Sequence, residues 1–240
     1  LEGLVKHNGP LFTGGIENLP AQGIVDFSWK YDLELHTYAG SEAQVAALAD
    51  DIAYNNHDIN DGLRGGLVNL RDGSGTPLVG EIFRSVADDY PKINQSRQIH
   101  EAVRRLIGTM IDDCLTETGK RIRKVEPKSV NDIRALDHPV VAFSDDMVKI
   151  ERSLKEFLFE NMYRHKKVNS MTSEAHKVVC TLFDFFINDP KKLPKEWQEK
   201  TDTPCSDATA HTVADYIAGM TDRFALDEYA KLEEGGVLKS

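Results

Sequence analysis

Apolar residues recur at every third or fourth position across residues 93–118, and a chain with this spacing can bury them only as one face of a long helix. Gly119 follows at the position where a C-cap is expected. The next residues, 121–128, alternate in character and are predicted to be extended. The residues that form the apolar stripe are Ile99, Val103, Leu106, Ile107, Met110, Ile111, Cys114 and Leu115.

Helical periodicity also dominates the rest of the chain after residue 40. The basic residues 164–167 are predicted to follow a helix end, where positive charge suits the helix dipole. Residues 8–40, 72–77 and 190–204 are predicted as connections because they are rich in Gly, Pro or polar residues. The sequence therefore predicts an all-α fold with no clear domain boundary. One further helix is predicted to begin at Ser41, and others are predicted over 78–89, 129–136, 147–163, 170–188 and 208–225.

The segment 49–61 gathers four aspartates, a histidine and a tyrosine within thirteen residues. Ser41 and Gln44 have the spacing of a capping box that opens this helix. Gly62, and then Gly65 and Gly66, are expected to break or bend it. On a helix, the polar side chains fall within about 100° of one another, opposite an apolar face. The polar face consists of Asp50, Tyr54, His57, Asp58 and Asp61, and the apolar face of Val45, Leu48, Ile52 and Ile59.

This acidic helix has no positive charge near it in the sequence, because no Lys or Arg occurs between Lys30 and Arg64. Solvated helices usually mix the signs of their charges, since like charges four residues apart are mildly unfavourable. We therefore expect a metal ion, or basic side chains from elsewhere in the chain, to lie against the polar face. The ordinary alternative, an acidic face that is simply solvated, stays open on the pattern alone.

Composition limits the class of protein. The chain has 240 residues, of which 40% are hydrophobic, so it can bury a substantial core. A formal net charge of −10 argues against broad adhesion to nucleic acid or to an anionic membrane, although it leaves room for a local basic patch. Cys114, Cys180 and Cys205 lie far apart, which indicates reduced thiols in a cytoplasmic protein. No apolar run is long enough to span a membrane.

The chain contains, in order, the stretches 1–10, 42–44, 50–54 with 57–58 and 61–62, 157–158, 162–165 and 215–223. Together they resemble the deoxyguanosine triphosphate triphosphohydrolase-like proteins of bacteria, a branch of the HD-domain phosphohydrolases. The resemblance covers essentially the whole chain. It implies an HD-domain-like helical fold that lacks its N-terminal helices, in one helical unit over 1–240. Residues 1–70 would then be the end of the HD core and 71–240 a C-terminal helical region, in a chain that starts partway through a longer protein.

In this family a divalent metal is held by a His, a His-Asp pair and a later Asp. The resemblance implies that Asp50 is the last of these ligands, for Mg²⁺ or Mn²⁺, and that the others lie upstream of residue 1. It implies substrate contacts from Tyr54 to the triphosphate and from Asp58 to the sugar 3′-hydroxyl. Lys6 and Lys30 resemble the lysines that reach the phosphates. No catalytic residue is assigned within this chain.

The resemblance implies metal-dependent hydrolysis of a deoxynucleoside triphosphate (dNTP), dGTP or another, to deoxynucleoside and triphosphate. A single aspartate cannot hold a divalent ion tightly, so we expect this chain alone to be inactive. Beside the dNTP, the expected partners are further copies of the chain, with hexamers common in the family, and single-stranded nucleic acid, but no membrane. One alternative is a dNTP-sensing or nucleic-acid-binding regulator with weak or no turnover. A monophosphatase is disfavoured because Lys6, Lys30 and Tyr54 suit a longer phosphate chain.

Overall fold

The computed structural model describes residues 1–12, 20–68 and 77–234, and every regular element in these ranges is a helix. The all-α class is therefore confirmed. The predicted loop at 72–77 lies, except for Pro77, outside the described residues. The helices are α1 Glu2–Val5, α2 Gln22–Ser28, α3 Ser41–Arg64, α4 Pro77–Asp89, α5 Gln95–Val125, α6 Val130–Arg134, α7 Asp145–Leu158, a π-helical turn Phe159–Tyr163, α8 Lys166–Asn188, a 3₁₀ turn Pro190–Lys192, α9 Lys195–Gln198, α10 Asp207–Ala218 and α11 Asp222–Glu234.

The contacts divide the chain into two compact units, Leu1–Tyr163 and Arg164–Ser240. The division falls where the π-helical turn ends and α8 is about to begin. All residues with a predicted role in binding lie in the first unit. Among the helices described, none combines the length and the apolarity that a membrane crossing requires.

The core of the first unit lies between α3, α4, α5 and α7. The apolar stripe predicted for α5 is confirmed in its central part, since Ile99, Leu106 and Met110 are buried. Its outer members Ile111 and Leu115 are exposed, so the buried face of α5 is narrower than predicted. From the other helices, the buried residues of this core are Ile52, Ile59, Leu63, Val79, Ile82, Val86, Met147, Leu154 and Leu158.

Helix α5 continues past Gly119 to Val125, so the predicted C-cap at Gly119 and the extended segment after it are wrong. Arg121 explains the continuation. Its guanidinium pairs with Glu117 one turn earlier at 3.0 Å and donates to the carbonyl oxygen of Pro139 at 3.0 Å. A glycine inside a helix costs about 1 kcal/mol, and these contacts offset that cost. The helix ends instead at Glu126, which takes a left-handed conformation with φ 48°.

The predicted capping box at the start of α3 is also wrong, because Gly40 is the N-cap and no side chain caps the helix. Gln44 is buried and bonds elsewhere. Its Oε1 accepts hydrogen bonds from the backbone N–H groups of Val140 and Val141 at 2.9 and 3.0 Å, and its Nε2 donates to the carbonyl oxygen of Ala39 at 2.8 Å. One side chain of α3 thus accepts hydrogen bonds from two backbone N–H groups of a connection that lies almost a hundred residues later in the sequence.

Two other predicted boundaries of the first unit move. Helix α3 continues through Gly62 to Arg64 and ends at Gly65, so the predicted break is wrong at Gly62 and confirmed at Gly65. A Cβ atom on Gly62 would lie 3.0 Å from the Cγ2 atom of Val68, so this glycine allows close packing and does not break the helix. The small helix predicted over 129–136 is observed as α6, with a capping box between Ser129 and Asp132.

The second unit packs α8 against α10 and α11. The predicted helix over 208–225 is two helices, because Gly219 ends α10 and the Oγ1 atom of Thr221 accepts from the N–H of Phe224 at the start of α11. The basic residues 164–167 begin directly after the π-helical turn ends at Tyr163, as predicted. Only Arg164 lies between the two helices, however, since His165 caps the N-terminus of α8 and Lys166 begins it. The buried residues of this core are Val178, Leu182, Phe186, Leu193, Val213, Tyr229 and Leu232.

The role of Gln44 can be tested by Gln44→Leu. The change leaves the N–H groups of Val140 and Val141 unpaired in a buried place, at a cost of about 1–3 kcal/mol each. We expect the free energy of unfolding, measured by urea denaturation with circular dichroism, to fall by about 2–4 kcal/mol. Gln22→Leu is the control, because Gln22 is exposed and its side chain bonds, among the described residues, only Asp26. Equal losses in both variants would contradict the assignment.

Candidate functional site

Helix α3 presents its polar face outward because its apolar face is anchored in the core. Ile52 and Ile59 are only 6% and 4% exposed, while the opposite face is open to solvent. The predicted division into two faces is therefore confirmed, except at Val45, which is 52% exposed near the start of the helix. On the polar face the residues Asp50, Tyr54, His57 and Asp61 are exposed and Asp58 is half-buried.

A tyrosine from another helix joins two of the predicted substrate residues. The hydroxyl of Tyr163 donates to the Oδ2 atom of Asp58, and its oxygen lies 3.2 Å from the hydroxyl oxygen of Tyr54. A phenol has one proton and a carboxylate has none, so Tyr163 gives its proton to Asp58 and Tyr54 is the donor of the second bond. Tyr54, Tyr163 and Asp58 thus form a short chain of hydrogen bonds.

The protonation state of Tyr163 is fixed by this arrangement. Partial burial and the hydrogen bonds with Asp58 and Tyr54 raise the pKa of Tyr163 well above that of an ordinary tyrosine. The phenol therefore remains a donor at every physiological pH.

Tyr163 is the site residue that the sequence analysis missed. It lies 105 residues after Asp58, at the end of the π-helical turn that follows α7. Turns of this type are rare and frequently occur at functional sites, but they have no clear sequence pattern. The available signal was the stretch 162–165, which resembles the family without indicating what its tyrosine contacts.

Asp50 lies one helical turn before Tyr54, about 6 Å along the axis, and its carboxylate is exposed. Within the described ranges, no group of three His, Cys, Asp or Glu side chains lies close enough together to hold a metal ion. A divalent cation prefers several oxygen or imidazole ligands. The described residues thus offer one candidate ligand and do not by themselves fit a metal ion.

The acidic helix does receive a positive charge from elsewhere in the chain. The Nζ atom of Lys155, on α7, lies 3.6 Å from Asp51 and pairs with Glu151 on its own helix. Glu151 also accepts a hydrogen bond from Asn55 at 3.2 Å. The counter-ion therefore lies beside the polar face, at Asp51, and leaves Asp50 unpaired within the described part of the chain.

Lys6 is not free to meet solvent, because its side chain is buried and its ammonium has three protein partners. It donates to the carbonyl oxygen of Glu34 at 3.0 Å and to the Oγ1 atom of Thr37 at 2.8 Å, and it pairs with Glu2 at 3.1 Å. Glu2 also receives a two-pronged contact from Arg134 at 2.6 and 2.9 Å. Lys6 and Arg134 thus join α1, the following loop and α6 through one carboxylate.

The remaining predicted residue, Lys30, is exposed just after α2. Within the described ranges, no hydrogen bond or ion pair joins Lys30, Lys6 or Asp50 to the pair formed by Tyr54 and Asp58. Their roles in binding phosphate or metal stay predictions. To reach a phosphate, Lys6 would have to exchange at least one of its present partners.

A pocket of about 160 Å³ lies beside Lys6, and Gln44 and Asp51 also line it. Pockets that hold drug-sized ligands usually measure about 300–1,000 Å³, so this one is too small to enclose a nucleotide by itself.

Comparisons with known proteins agree with the sequence resemblance. The family model of the phosphohydrolase-associated domain matches residues 141–231, a range that contains Tyr163. A protein of Parvibaculum lavamentivorans is 53% identical over 97% of this chain, and one of Caulobacter vibrioides is 45% identical over 97%. Both are named deoxyguanosinetriphosphate triphosphohydrolase-like protein. The chain spans 59% of the length of each relative, and the resemblance to this family is confirmed.

Two substitutions test whether Lys6 has a structural role that the solvated Lys30 lacks. Lys6→Met leaves the partners of a buried ammonium unpaired, so we expect the free energy of unfolding to fall by about 2–4 kcal/mol. Lys30→Met changes an exposed side chain, and we expect a change within about 0.5 kcal/mol. Both values come from chemical denaturation. A Lys6→Met variant as stable as Lys30→Met would overturn the structural role of Lys6.

The contacts of Glu2 also make stability depend on pH. Partial burial raises the pKa of Glu2, but hydrogen bonds from Arg134 and Lys6 outweigh it, so the pKa lies below the ordinary 4.5. A lowered pKa gives stability that is complete above about 4.5 and is lost as pH falls through the folded-state value. We expect Glu2→Gln to be less stable than the wild type at neutral pH by about 1–3 kcal/mol.

That difference is expected to shrink below pH 4.5, where the wild-type carboxylate itself becomes protonated in the unfolded chain. Thermal unfolding of both variants across pH 3–8 measures it. A difference that is independent of pH would show that the charge of Glu2 is irrelevant.

Proposed function

Since the chain resembles the deoxyguanosinetriphosphate triphosphohydrolase-like proteins along nearly its whole length, we propose that it forms part of an enzyme that hydrolyses a dNTP to deoxynucleoside and triphosphate. The observation that carries the proposal is the 53% identity over 97% of the chain to a protein with that name. The geometry adds support, because the polar face of α3 offers hydrogen-bonding groups at the positions where the family resemblance implies contacts with a nucleotide.

Asp58 is the group proposed to contact the sugar. Its carboxylate only accepts hydrogen bonds, and a sugar hydroxyl can donate one. It is half-buried on a rigid helix, where its position is well defined. A hydrogen bond to a charged group contributes about 1.5–3 kcal/mol, which is enough to favour a nucleotide over a polyphosphate without sugar.

The phosphates are proposed to lie toward the N-terminal part of the same face. Tyr54 lies between Asp50 and Asp58, one turn from each, and the residue is 59% exposed. It can donate to a phosphate oxygen when it gives up its bond to Tyr163. Lys30, which is solvated, can neutralise part of the phosphate charge if the substrate reaches it, and Lys6 can do so only after rearrangement.

Metal dependence is part of the proposal. Asp50 would supply one carboxylate ligand, and residues beyond the described ones would supply the rest. A bound Mg²⁺ or Mn²⁺ would polarise a phosphoryl oxygen or activate water. The described residues bind and orient the nucleotide around that centre.

The proposed reaction can be tested with the full-length protein, which includes the length that its relatives have beyond this chain. With dGTP and Mg²⁺ or Mn²⁺, we expect release of triphosphate, detected by ion-exchange chromatography, and its loss in Asp50→Ala. Asp61→Ala is the matched control, because Asp61 is exposed on the same face and has no proposed role. We expect that control to retain activity within about twofold.

Other products would reject the reaction in specific ways. Release of pyrophosphate or orthophosphate would rule out attack at the α-phosphate with triphosphate as the leaving group. Tight binding of dGTP without any product would favour the alternative, a nucleotide-sensing regulator.

A further inference from the structure

We propose that Tyr163 is a positioning residue that orients the carboxylate of Asp58 toward the sugar 3′-hydroxyl of the nucleotide. The inference rests on the proposed function and assigns to that site a residue that sets its preference for a 3′-hydroxyl. Tyr163 acts through Asp58 and is not itself in contact with the reacting phosphate.

The two oxygens of Asp58 have different partners. Oδ2 accepts from Tyr163, whereas Oδ1 takes no hydrogen bond from any described residue. A carboxylate on a helix can otherwise rotate about its side-chain bonds, so one fixed oxygen determines where the other one points. With Oδ2 held, Oδ1 is the acceptor that remains for a ligand hydroxyl.

Tyr163 is itself held in place by the core of the first unit. It belongs to the π-helical turn that continues α7, and it packs with Met162 against the core of the first unit. The residues of α7 that precede the turn, Leu154 and Leu158, are each 1% exposed. The phenol therefore approaches α3 from a rigid base, as is needed to orient a binding group.

The direction of the protons allows the substrate to bind without breaking the bond to Asp58. Because Tyr163 gives its only proton to Asp58, the bond between the two tyrosines uses the proton of Tyr54. Tyr54 can turn that proton toward a phosphate oxygen while Tyr163 keeps its hold on the carboxylate. One residue thus keeps the sugar contact fixed while the phosphate contact forms.

The test is Tyr163→Phe, which removes only the hydroxyl, in the full-length protein. We measure kcat and KM for dGTP and for its 3′-deoxy analogue, 2′,3′-dideoxyguanosine triphosphate. Loss of a hydrogen bond that orients a charged acceptor predicts a KM for dGTP raised about 3- to 10-fold, with kcat changed less than about twofold. The KM for the analogue, which has no 3′-hydroxyl, is expected to stay within about twofold.

Two controls make the result specific. Tyr90→Phe removes the hydroxyl of a tyrosine on the surface of the first unit, outside the site, and should leave both KM values unchanged. In an Asp58→Ala background, Tyr163→Phe should cause no further loss of discrimination, because the group that it orients is absent. Thermal unfolding checks that all variants are folded.

The outcomes separate this inference from the proposed function. Equal increases in KM for both nucleotides would show a merely structural role, and unchanged values would show no role; either overturns the inference while the reaction stands. Should the wild type release no triphosphate, the proposed function fails. The same comparison is then made by calorimetric binding of the two nucleotides, where equal affinities in wild type and Tyr163→Phe overturn the inference as well.

Discussion

The burial of the apolar face of α3 is the contact on which the candidate site depends. Ile52 and Ile59 are held in the core with residues of α5 such as Leu106 and Met110. A helix fixed on one side has only one orientation for its opposite side, so this packing alone decides that Asp50, Tyr54 and Asp58 face outward. Asp50 and Asp61 on that face are tolerated without counter-ions because they are exposed to solvent, and the half-buried Asp58 accepts a hydrogen bond from Tyr163.

Polar contacts between distant parts of the chain stabilise the first unit together with its apolar core. Gln44 bonds the backbone before α7, and Glu2 joins Lys6 with Arg134 on α6. Each contact satisfies a group that would otherwise be costly to bury. These contacts thus attach the N-terminal segment and the later connections of the first unit to the helices that present the polar face. Lys155 beside Asp51 adds a charge at the edge of that face.

Under the proposed function, the described residues offer more to the nucleoside end of a nucleotide than to its phosphates. Tyr163 and Asp58 form a fixed acceptor. Of the two lysines expected at the phosphates, Lys6 is buried with other partners, and Lys30 makes no hydrogen bond or ion pair with the tyrosine pair among the described residues. Positive charge is needed wherever a triphosphate lies, since an acidic surface repels it. The chain covers 59% of the length of each of the two relatives.

The sequence by itself determined the helical class, the stripe on α5 and the two faces of α3, because hydrophobic periodicity is a property of neighbouring residues along one helix. It missed helix ends such as that of α5, where Arg121 contacts a distant carbonyl. Only the tertiary structure decided that Lys6 is buried and that Tyr163 meets Asp58. These facts depend on which helices pack together, and no local pattern records a contact between side chains 105 residues apart.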